Sequence, residues 1–418
     1  MRAPATPALV LDGEERAALA VTRSLGRKGV PVTVAATARR SLAGASRYAA
    51  GRLVLPDAIR DPDALAAALV ALAPRAPGQV WFPLTDASLA VVDSVREHLG
   101  EVLLPVSSAE SLALAWDKGR LLAAAAAAGV DAPRTWMPET IDQVRALAPE
   151  LPYPVVLKPR RSRLRTAAGY LTGEVAYVHA AADLVPAYAA LAARMPAPLI
   201  QERVPGYGMG VFLLADRGRV LARFAHRRLR EKPPSGGVSV LRESIAVPPV
   251  LAAAADRLLA ALAWHGVCMI EFKVDARDGV PRLMEVNPRF WGSLALAIDA
   301  GVDFPWLLYE LAIGTPPAPV TSYRLGIRSR WELGDLDHLL IRLRARNRRD
   351  LPPGAPSRAR TLLAFLNPLA GRPEVFQASD PGPAFHELGR YVRDLCGGRK
   401  ASEGANGEGM NSAAGGTG

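Results

Sequence analysis

The chain has 418 residues, 50% of them hydrophobic, so it is too long for one ordinary core and predicts two or three domains. Its net charge of +11 comes largely from arginine-rich stretches at 159–165, 224–232 and 341–349, but aromatic residues are only 6% and no stretch carries a nucleic-acid-reading motif. The composition disfavours nucleic-acid binding, no apolar run is long enough for a membrane span, and two cysteines alone predict a reduced, cytoplasmic protein. We interpret the first two arginine stretches as anion-binding parts of a site and the third as a solvated helix face.

The first hundred residues alternate between strand and helix patterns. Strands are predicted at 7–12, 30–36 and 79–84, and helices at 14–29, 63–72 and 86–99. This alternation with short connections predicts a parallel sheet flanked by helices, as in half of a Rossmann domain. The turn after the first strand reads LDGEER rather than G-x-G-x-x-G, so no dinucleotide site is predicted there.

A second unit begins with a helical pattern over 107–130, which Ser107 or Ser108 can cap. It continues with a strand that carries one lysine, PYPVVLKP, and a strand that ends in a Gly/Pro turn, PLIQERVPGYG. Two hairpins follow, at 211–226 and 265–289. Beyond about 310 the pattern reduces to a basic helix and proline-rich connections, and 397–418 is predicted to be disordered.

The second hairpin contains the candidate metal ligands. With its turn at 276–279, Glu271 falls directly opposite Glu285 on the paired strand. Two opposed carboxylates repel each other, and such pairs are normally avoided unless a cation lies between them. Asn287 adds a third oxygen on the same face, and hard oxygen ligands of this kind suit Mg²⁺. A solvated sheet face is the alternative interpretation.

Five motifs occur in one order: the pair Asp117–Lys118, then PVVLKP, IQERVPG, IEFKVD and MEVNPR. Together they resemble the ATP-grasp superfamily, the fold of carbamoyl phosphate synthetase and biotin carboxylase, over roughly residues 1–310. The segment HRRLREKPPSGGVSV is similar to the carboxylate–amine ligase branch. The resemblance implies a mixed α/β and α+β fold. A Rossmann-like pre-ATP-grasp domain (1–106) would precede an ATP-grasp domain (107–310) with a mobile lid at about 134–200, and a basic extension (311–396) would follow.

The resemblance also implies a role for individual residues. ATP would contact Lys118, Lys158, the hinge residues Glu202 and Val204, and Glu271 and Glu285. Mg²⁺, or Mn²⁺ in its place, would be held by Glu271, Glu285 and Asn287. Arg289 would orient the substrate carboxylate and act with Lys158 in catalysis. The acceptor-side loop would bind an acidic substrate through Arg227, Arg230, Lys232, Ser235, Gly236 and Gly237.

Two features depart from the family pattern. The stretch after the hinge, GYGMGVF, lacks the acidic residue that many members use for the ribose hydroxyls. The lid loop at 159–173 is rich in arginine where many members are rich in glycine, so guanidinium groups would either replace backbone N–H groups as phosphate ligands or bind an anionic substrate. A solvated loop is the alternative.

The implied reaction is ATP-dependent activation of a carboxylate to an acyl phosphate, followed by attack of an amine to form an amide. The partners would be a small carboxylic acid and an amine, without nucleic acid or membrane, in a chain that resembles a family with many homodimers. Three alternatives stay open: an ATP-grasp enzyme with a non-amine acceptor, a degenerate nucleotide-binding regulatory module, and a nucleic-acid-binding protein.

Overall fold

A computed structural model describes residues 5–166, 169–234, 237–345 and 355–396. Its first part contains β1 (Ala8–Val10), α1 (Arg16–Arg27), β2 (Val32–Ala36), β3 (Ala49–Val54), α2 (Pro62–Leu72), β4 (Val80–Phe82) and α3 (Asp86–Ser94). The strands form a parallel sheet in the order β3-β2-β1-β4, which confirms the predicted Rossmann-like alternation. The sequence pattern missed β3, because AAGRLV has few large apolar residues.

The helical pattern predicted over 107–130 is divided into two helices, α4 (Ala109–Trp116) and α5 (Lys118–Ala127). Asp117 separates them in an extended conformation, and its side chain accepts a hydrogen bond from the N–H of Arg120 at 3.1 Å as the N-cap of α5. Ser108 caps α4. The division matters because it places Lys118 at the first position of α5.

The next part holds β5 (Thr135–Trp136), α6 (Ile141–Leu147), β6 (Val155–Lys158), β7 (Arg163–Thr166), β8 (Gly169–Thr172), β9 (Ala176–Val178), α7 (Ala181–Ala192) and β10 (Leu199–Glu202). Four strands make an antiparallel sheet in the order β5-β10-β6-β9, and β7 pairs with β8 separately. Val155 and Leu157 enter the core of this unit. Since side chains alternate along a strand, Lys158 lies on the opposite face of β6.

The remaining elements form the largest sheet and its helices. They are β11 (Gly206–Asp216), β12 (Arg219–Lys232), β13 (Val238–Ile245), α8 (Pro249–Ala261), β14 (Gly266–Asp275), β15 (Pro281–Asn287), α9 (Leu294–Ala300), α10 (Phe304–Ala312), β16 (Arg328–Arg330), α11 (Glu332–Arg344), α12 (Arg358–Leu366), β17 (Arg372–Pro373) and α13 (Gly382–Cys396). The strand order is β15-β14-β11-β12-β13-β16-β17. Both predicted hairpins are confirmed, as β11–β12 and β14–β15.

The two faces of the large sheet enter different cores. On one face Leu213 and Ile270 pack with α8. On the other, Phe212, Phe224 and Met269 join the core around the first sheet, together with Trp291. The polar residues predicted for the site continue this second face beyond the edge of that core, so the first sheet lies next to the site.

Residues beyond 310 are integrated into the fold. Strands β16 and β17 extend the large sheet, and Arg23 of α1 donates to Asp380 at 2.8 Å. The interpretation of 341–349 as a solvated helix face is wrong at Arg342, which is buried and donates to the carbonyl of Pro356. Residues 346–349 of that stretch, and the tail predicted to be disordered, lie outside the described residues. Among the described helices, none has the length and apolar character needed to cross a membrane.

Candidate functional site

Two carboxylates and an amide meet at one end of the β14–β15 hairpin. The strand register pairs Glu271 directly with Glu285, as predicted, and the next pair is Met269 with Asn287. Glu285 and Asn287 are buried, and the Nδ2 of Asn287 donates to Oε1 of Glu285 at 3.1 Å. The opposed carboxylates therefore lie in a partly dehydrated place, where their repulsion needs a positive partner.

Positive side chains approach this pair from two other elements. The Nζ of Lys118, at the start of α5, lies 3.9 Å from Oε2 of Glu285 and donates to Oγ of Ser162 at 2.8 Å. From β12, the Nη2 of Arg228 lies 3.8 Å from Oε1 of Glu271. Both of these ion pairs are longer than a direct hydrogen bond.

Lys158 is the most unusual group of the site. Its side chain is buried, and its Nζ has no hydrogen-bond partner among the described residues. Burial lowers the pKa of Lys158 to about 8, with Lys118 adding to the shift and Glu285 opposing it. A buried ammonium group without a partner is costly, and an anionic ligand such as a phosphate would relieve that cost.

Two glycines of β11 leave a strip without side chains between β12 and β14. On the face of the sheet that holds the site, Gly210 of β11 is paired with Glu271 of β14, and Gly208 is paired with Lys273. A Cβ added to Gly208 would meet no atom within 4 Å, so the space above it is open. The missing side chains let Arg228 reach across β11 to Glu271 and leave a trough over the sheet.

The arginine-rich loop after β6 is tied to the start of α5. The Nε of Arg160 donates to both oxygens of Asp117, at 2.9 and 3.0 Å, and the N–H of Lys118 donates to the carbonyl of Arg160 at 3.0 Å. Burial raises the pKa of Asp117, but the hydrogen bonds from Arg120 and Arg160 outweigh it, so the pKa lies below its usual value. Arg160 therefore positions the two lysine-bearing elements relative to each other.

Arg289 lies just beyond β15 and is held by α3, the helix that follows β4 of the first sheet. Its Nε donates to Oδ2 of Asp86 at 2.8 Å, and its Nη1 donates to the carbonyl of Phe290 at 3.0 Å. Asp86 is the first residue of α3, where a carboxylate is favoured by the helix dipole. The guanidinium is thus fixed in orientation, as a positioning role would require.

The predicted hinge residues have structural contacts of their own. The N–H of Arg134 donates to Oε1 of Glu202 at 3.0 Å, and Arg277 lies 3.6 Å from its Oε2. Val204 is buried. The predicted contact of these residues with adenine through backbone groups stays a prediction.

The structure does not bring the predicted acceptor-side cations to the carboxylate pair. Arg227 donates to Glu243 at 2.7 Å, Arg230 lies 3.1 Å from Asp335, and Lys232 is paired with Asp337. Gly237 lies against the backbone of Lys232, where a Cβ would approach the carbonyl oxygen to 2.4 Å. Ser235 and Gly236 lie outside the described residues. Carboxylates of this chain therefore neutralise all three cations.

Sequence reasoning missed Arg228 and Asp86, and it left Lys273 out of the site. Lys273 shares the face of Glu271, and burial lowers the pKa of its ammonium group. The alternation of strand residues could have separated Arg228 from Arg227, because neighbours on a strand point to opposite faces. The contact of Asp86 with Arg289 joins residues 203 positions apart, and no local pattern indicates it.

Solved structures share this architecture. The chain matches a biotin carboxylase from Campylobacter jejuni with a TM-score of 0.62 and 18% identity, over 77% of this chain and 74% of that chain. It matches an L-amino acid ligase from Bacillus licheniformis with a TM-score of 0.57 and 17% identity, over 76% of both chains. The biotin carboxylase domain of a 2-oxoglutarate carboxylase from Hydrogenobacter thermophilus gives 0.58 and 16%, over 77% and 73%. The chain therefore has the ATP-grasp fold, as its motifs indicate.

A family model matches one part of the chain. Residues 194–333 match the family described as "ATP-grasp in the biosynthetic pathway with Ter operon". The match runs from just before β10 to the start of α11, so it includes Glu271, Glu285 and Arg289. The match agrees with the predicted ATP-grasp fold over this part of the chain. A comparison with curated proteins gave no match.

Proposed function

We propose that the protein is an ATP-dependent carboxylate–amine ligase that forms an amide through an acyl phosphate and releases ADP and phosphate. The observation that carries the proposal is the opposed pair Glu271 and Glu285, approached by Lys118 and flanked by the unpartnered ammonium group of Lys158. A buried carboxylate opposite a half-buried one, with two buried lysines beside them, suits a site for Mg²⁺ and phosphate.

The residues present fit a magnesium ion that shares its ligands with phosphate. The described residues contain no cluster of three or more His, Cys, Asp or Glu side chains suited to a metal, so the chain offers two carboxylates and the amide oxygen of Asn287. Mg²⁺ commonly takes one or two carboxylates and completes its shell with water and substrate phosphates. When bound, Mg²⁺, or Mn²⁺ in its place, would neutralise negative charge on the phosphates.

The chain's own groups would hold and orient the reactants. Lys118 and Lys158 bind the phosphates of ATP, whose base lies near Glu202 and Val204. Arg289, fixed by Asp86, holds the acid so that its carboxylate faces the γ-phosphorus. Attack forms an acyl phosphate and releases ADP; an amine then attacks the acyl carbon, loses a proton and displaces phosphate. Most of the acceleration comes from position and charge.

We place the binding site for the acidic substrate in the trough above β11, and not at the acceptor-side loop. Arg227, Arg230 and Lys232 pair with carboxylates away from the Glu271–Glu285 pair. Arg228 also pairs with a carboxylate, Glu231 at 3.2 Å, but its Nη2 lies 3.8 Å from Glu271, beside the open space above Gly208. Arg228 and Arg289 would therefore bind the acidic substrate. The names of similar structures support the chemistry: one is an L-amino acid ligase, and another is a domain dimer solved with MgADP and bicarbonate.

A product screen tests the function. Purified protein with ATP and Mg²⁺ is incubated with pooled small carboxylic acids and amines, and ADP and new amides are detected by mass. We expect at least one acid–amine pair to yield ADP and an amide together. ADP without an amide would favour a non-amine acceptor, and tight ATP binding without turnover would favour a regulatory module. Salt-sensitive DNA retention that persists in Lys158→Met would favour nucleic-acid binding.

A further inference from the structure

The C-terminal helix α13 exposes a narrow apolar stripe, defined here as Phe385, Leu388, Val392 and Leu395. Their exposed fractions are 69%, 48%, 47% and 59%. At 100° per residue these four positions fall within roughly 80° of the helix circumference. Their spacing of three, four and three residues is the a/d spacing of a helix–helix contact.

A different face attaches α13 to its own chain. Pro383 and Glu387 are buried, and the Nε1 of Trp331 donates to Oε1 of Glu387 at 2.9 Å. The hydroxyl of Tyr391 donates to Oδ1 of Asp337 at 2.6 Å. The helix is therefore held in place with its stripe directed away from these anchoring contacts, so the stripe is available to another surface.

The undescribed segments are poor candidates to cover this stripe. They are residues 1–4, 167–168, 235–236, 346–354 and 397–418, and their only large apolar residues are Met1, Leu351 and Met410. Eight of the 22 residues that follow the helix are glycine. Burial of four large apolar side chains needs a complementary apolar surface, and these segments do not contain one.

The stripe is complementary to itself. It is symmetric about residue 390, because 385 and 395 lie five positions from the centre and 388 and 392 lie two positions from it. A second α13 in antiparallel orientation would place Phe385 against Leu395 of the other copy, and Leu388 against Val392. Such a two-fold arrangement is the isologous contact typical of homodimers.

We propose that the protein forms a homodimer in which the α13 helices of two copies pack antiparallel along this stripe. This surface is independent of the ligase proposal, because it involves none of the site residues. The stripe offers roughly 400 Å² per copy, or about 800 Å² in total, which is less than the about 1,200 Å² of a standard stable interface. The dimer should therefore depend on concentration, with a dissociation constant in the micromolar range.

Sedimentation equilibrium of the full chain tests the dimer. We expect wild type to shift from monomer towards dimer as concentration rises to about 100 µM, where a micromolar dimer would be nearly complete. Leu388→Arg should remain monomeric with an unchanged circular dichroism spectrum, since the side chain is exposed. Leu363→Arg on α12, where the leucine is 68% exposed, should dimerise like wild type.

Disulfide trapping tests the orientation in a Cys396→Ser background. Antiparallel packing places residue 385 beside residue 395 of the other copy, whereas 385 and its own equivalent are about 15 Å apart along the axis. We expect Phe385→Cys/Leu395→Cys to form a covalent dimer on mild oxidation, and each single cysteine variant to form almost none.

Several results would overturn the proposal. A monomer at all concentrations, or a dimer that persists in Leu388→Arg, would exclude this interface. Efficient trapping of the single variants would exclude the antiparallel orientation. A monomer that instead binds phosphatidylglycerol vesicles, and loses that binding in Leu388→Arg, would assign the stripe to a lipid surface.

Discussion

Lys158 and Lys118 approach the same carboxylate pair, but they differ in how the chain satisfies them. Lys118 donates to Ser162 and lies 3.9 Å from Glu285, whereas the Nζ of Lys158 has no hydrogen-bond partner among the described residues. A buried charge without a partner reduces the stability of the fold. In the proposed site that loss is recovered when phosphate binds.

Lys158→Met should therefore stabilise the nucleotide-free protein while abolishing ATP turnover. The pKa of Lys158 falls from 10.5 in the unfolded chain to about 8, so the penalty is fully present below pH 8 and disappears as the pH rises towards 10.5. We expect an increase in unfolding free energy of about 1–3 kcal/mol at pH 7. Thermal melts at pH 7 and pH 10 measure it, and the gap should be smaller at pH 10.

The matched control is Lys118→Met, which removes a lysine that has partners and should not stabilise the protein. If Lys158→Met melts at or below the wild-type temperature at pH 7, the buried ammonium is not the unsatisfied charge described here. Retained ATP turnover in Lys158→Met would contradict its role with phosphate.

Arg228 and Arg227 are neighbours on β12 that point to opposite faces. Arg228 donates to Glu231 at 3.2 Å and lies 3.8 Å from Glu271, whereas Arg227 is paired with Glu243. Arg228→Ala should lower kcat/KM for the acid by about 10- to 100-fold, the effect of losing a hydrogen bond to a charged group. Arg227→Ala should change it by less than about threefold. Steady-state kinetics with the acid varied decide between them, and a larger effect at Arg227 would restore the acceptor-loop prediction.

At the scale of elements, the sequence predicted the β14–β15 register but not the course of β12. The turn at 276–279 and the alternation of polar and apolar residues were enough to place Glu271 opposite Glu285. In β12 the register with β13 shifts between Arg228 and Arg230 and again before Glu231. Bulges break the period of two, so counting along the sequence could not indicate which cations face the site.

The GYGMG stretch of β11 has a structural role in the sheet that its sequence did not indicate. It was notable for lacking an acid; in the fold its glycines form the floor of the trough. Gly208→Val should leave the fold intact, because a Cβ there meets open space and valine suits a strand.

The same substitution should raise KM for ATP or for the acid by at least about tenfold, since the side chain fills the trough. Calorimetric titration with ATP and steady-state kinetics measure the two effects. Tyr207→Val, which changes an exposed residue on the other face of the same strand, is the control. Unchanged affinity and kinetics in Gly208→Val would mean that the trough is not where ligands bind.

At the scale of the whole molecule, buried ion pairs join the first and last parts of the chain. Glu374 is buried between Arg16 of α1, at 3.1 Å, and Arg242 of β13. These residues are up to 358 positions apart. Sequence patterns report local structure, so most helices and strands could be predicted, whereas this long-range junction could not.

Glu374→Gln should lower the free energy of unfolding by about 3–5 kcal/mol, because two buried guanidinium groups lose their carboxylate. Urea denaturation measures this, with Glu97→Gln, an exposed change expected to stay within about 0.5 kcal/mol, as control. Activity per folded molecule should be unchanged. A loss below about 1 kcal/mol would contradict the importance of this junction.

If Glu285 and its neighbours activate a carboxylate with ATP, hydroxylamine will capture the acyl phosphate as a hydroxamate. Wild type and Glu285→Ala are incubated with ATP, Mg²⁺, hydroxylamine and pooled carboxylic acids, and hydroxamates are detected by mass, with the exposed Glu139→Ala as control. We predict a hydroxamate from wild type and Glu139→Ala that falls by several orders of magnitude in folded Glu285→Ala. Equal hydroxamate from Glu285→Ala, or none from wild type with ATP bound, would contradict carboxylate activation at this site.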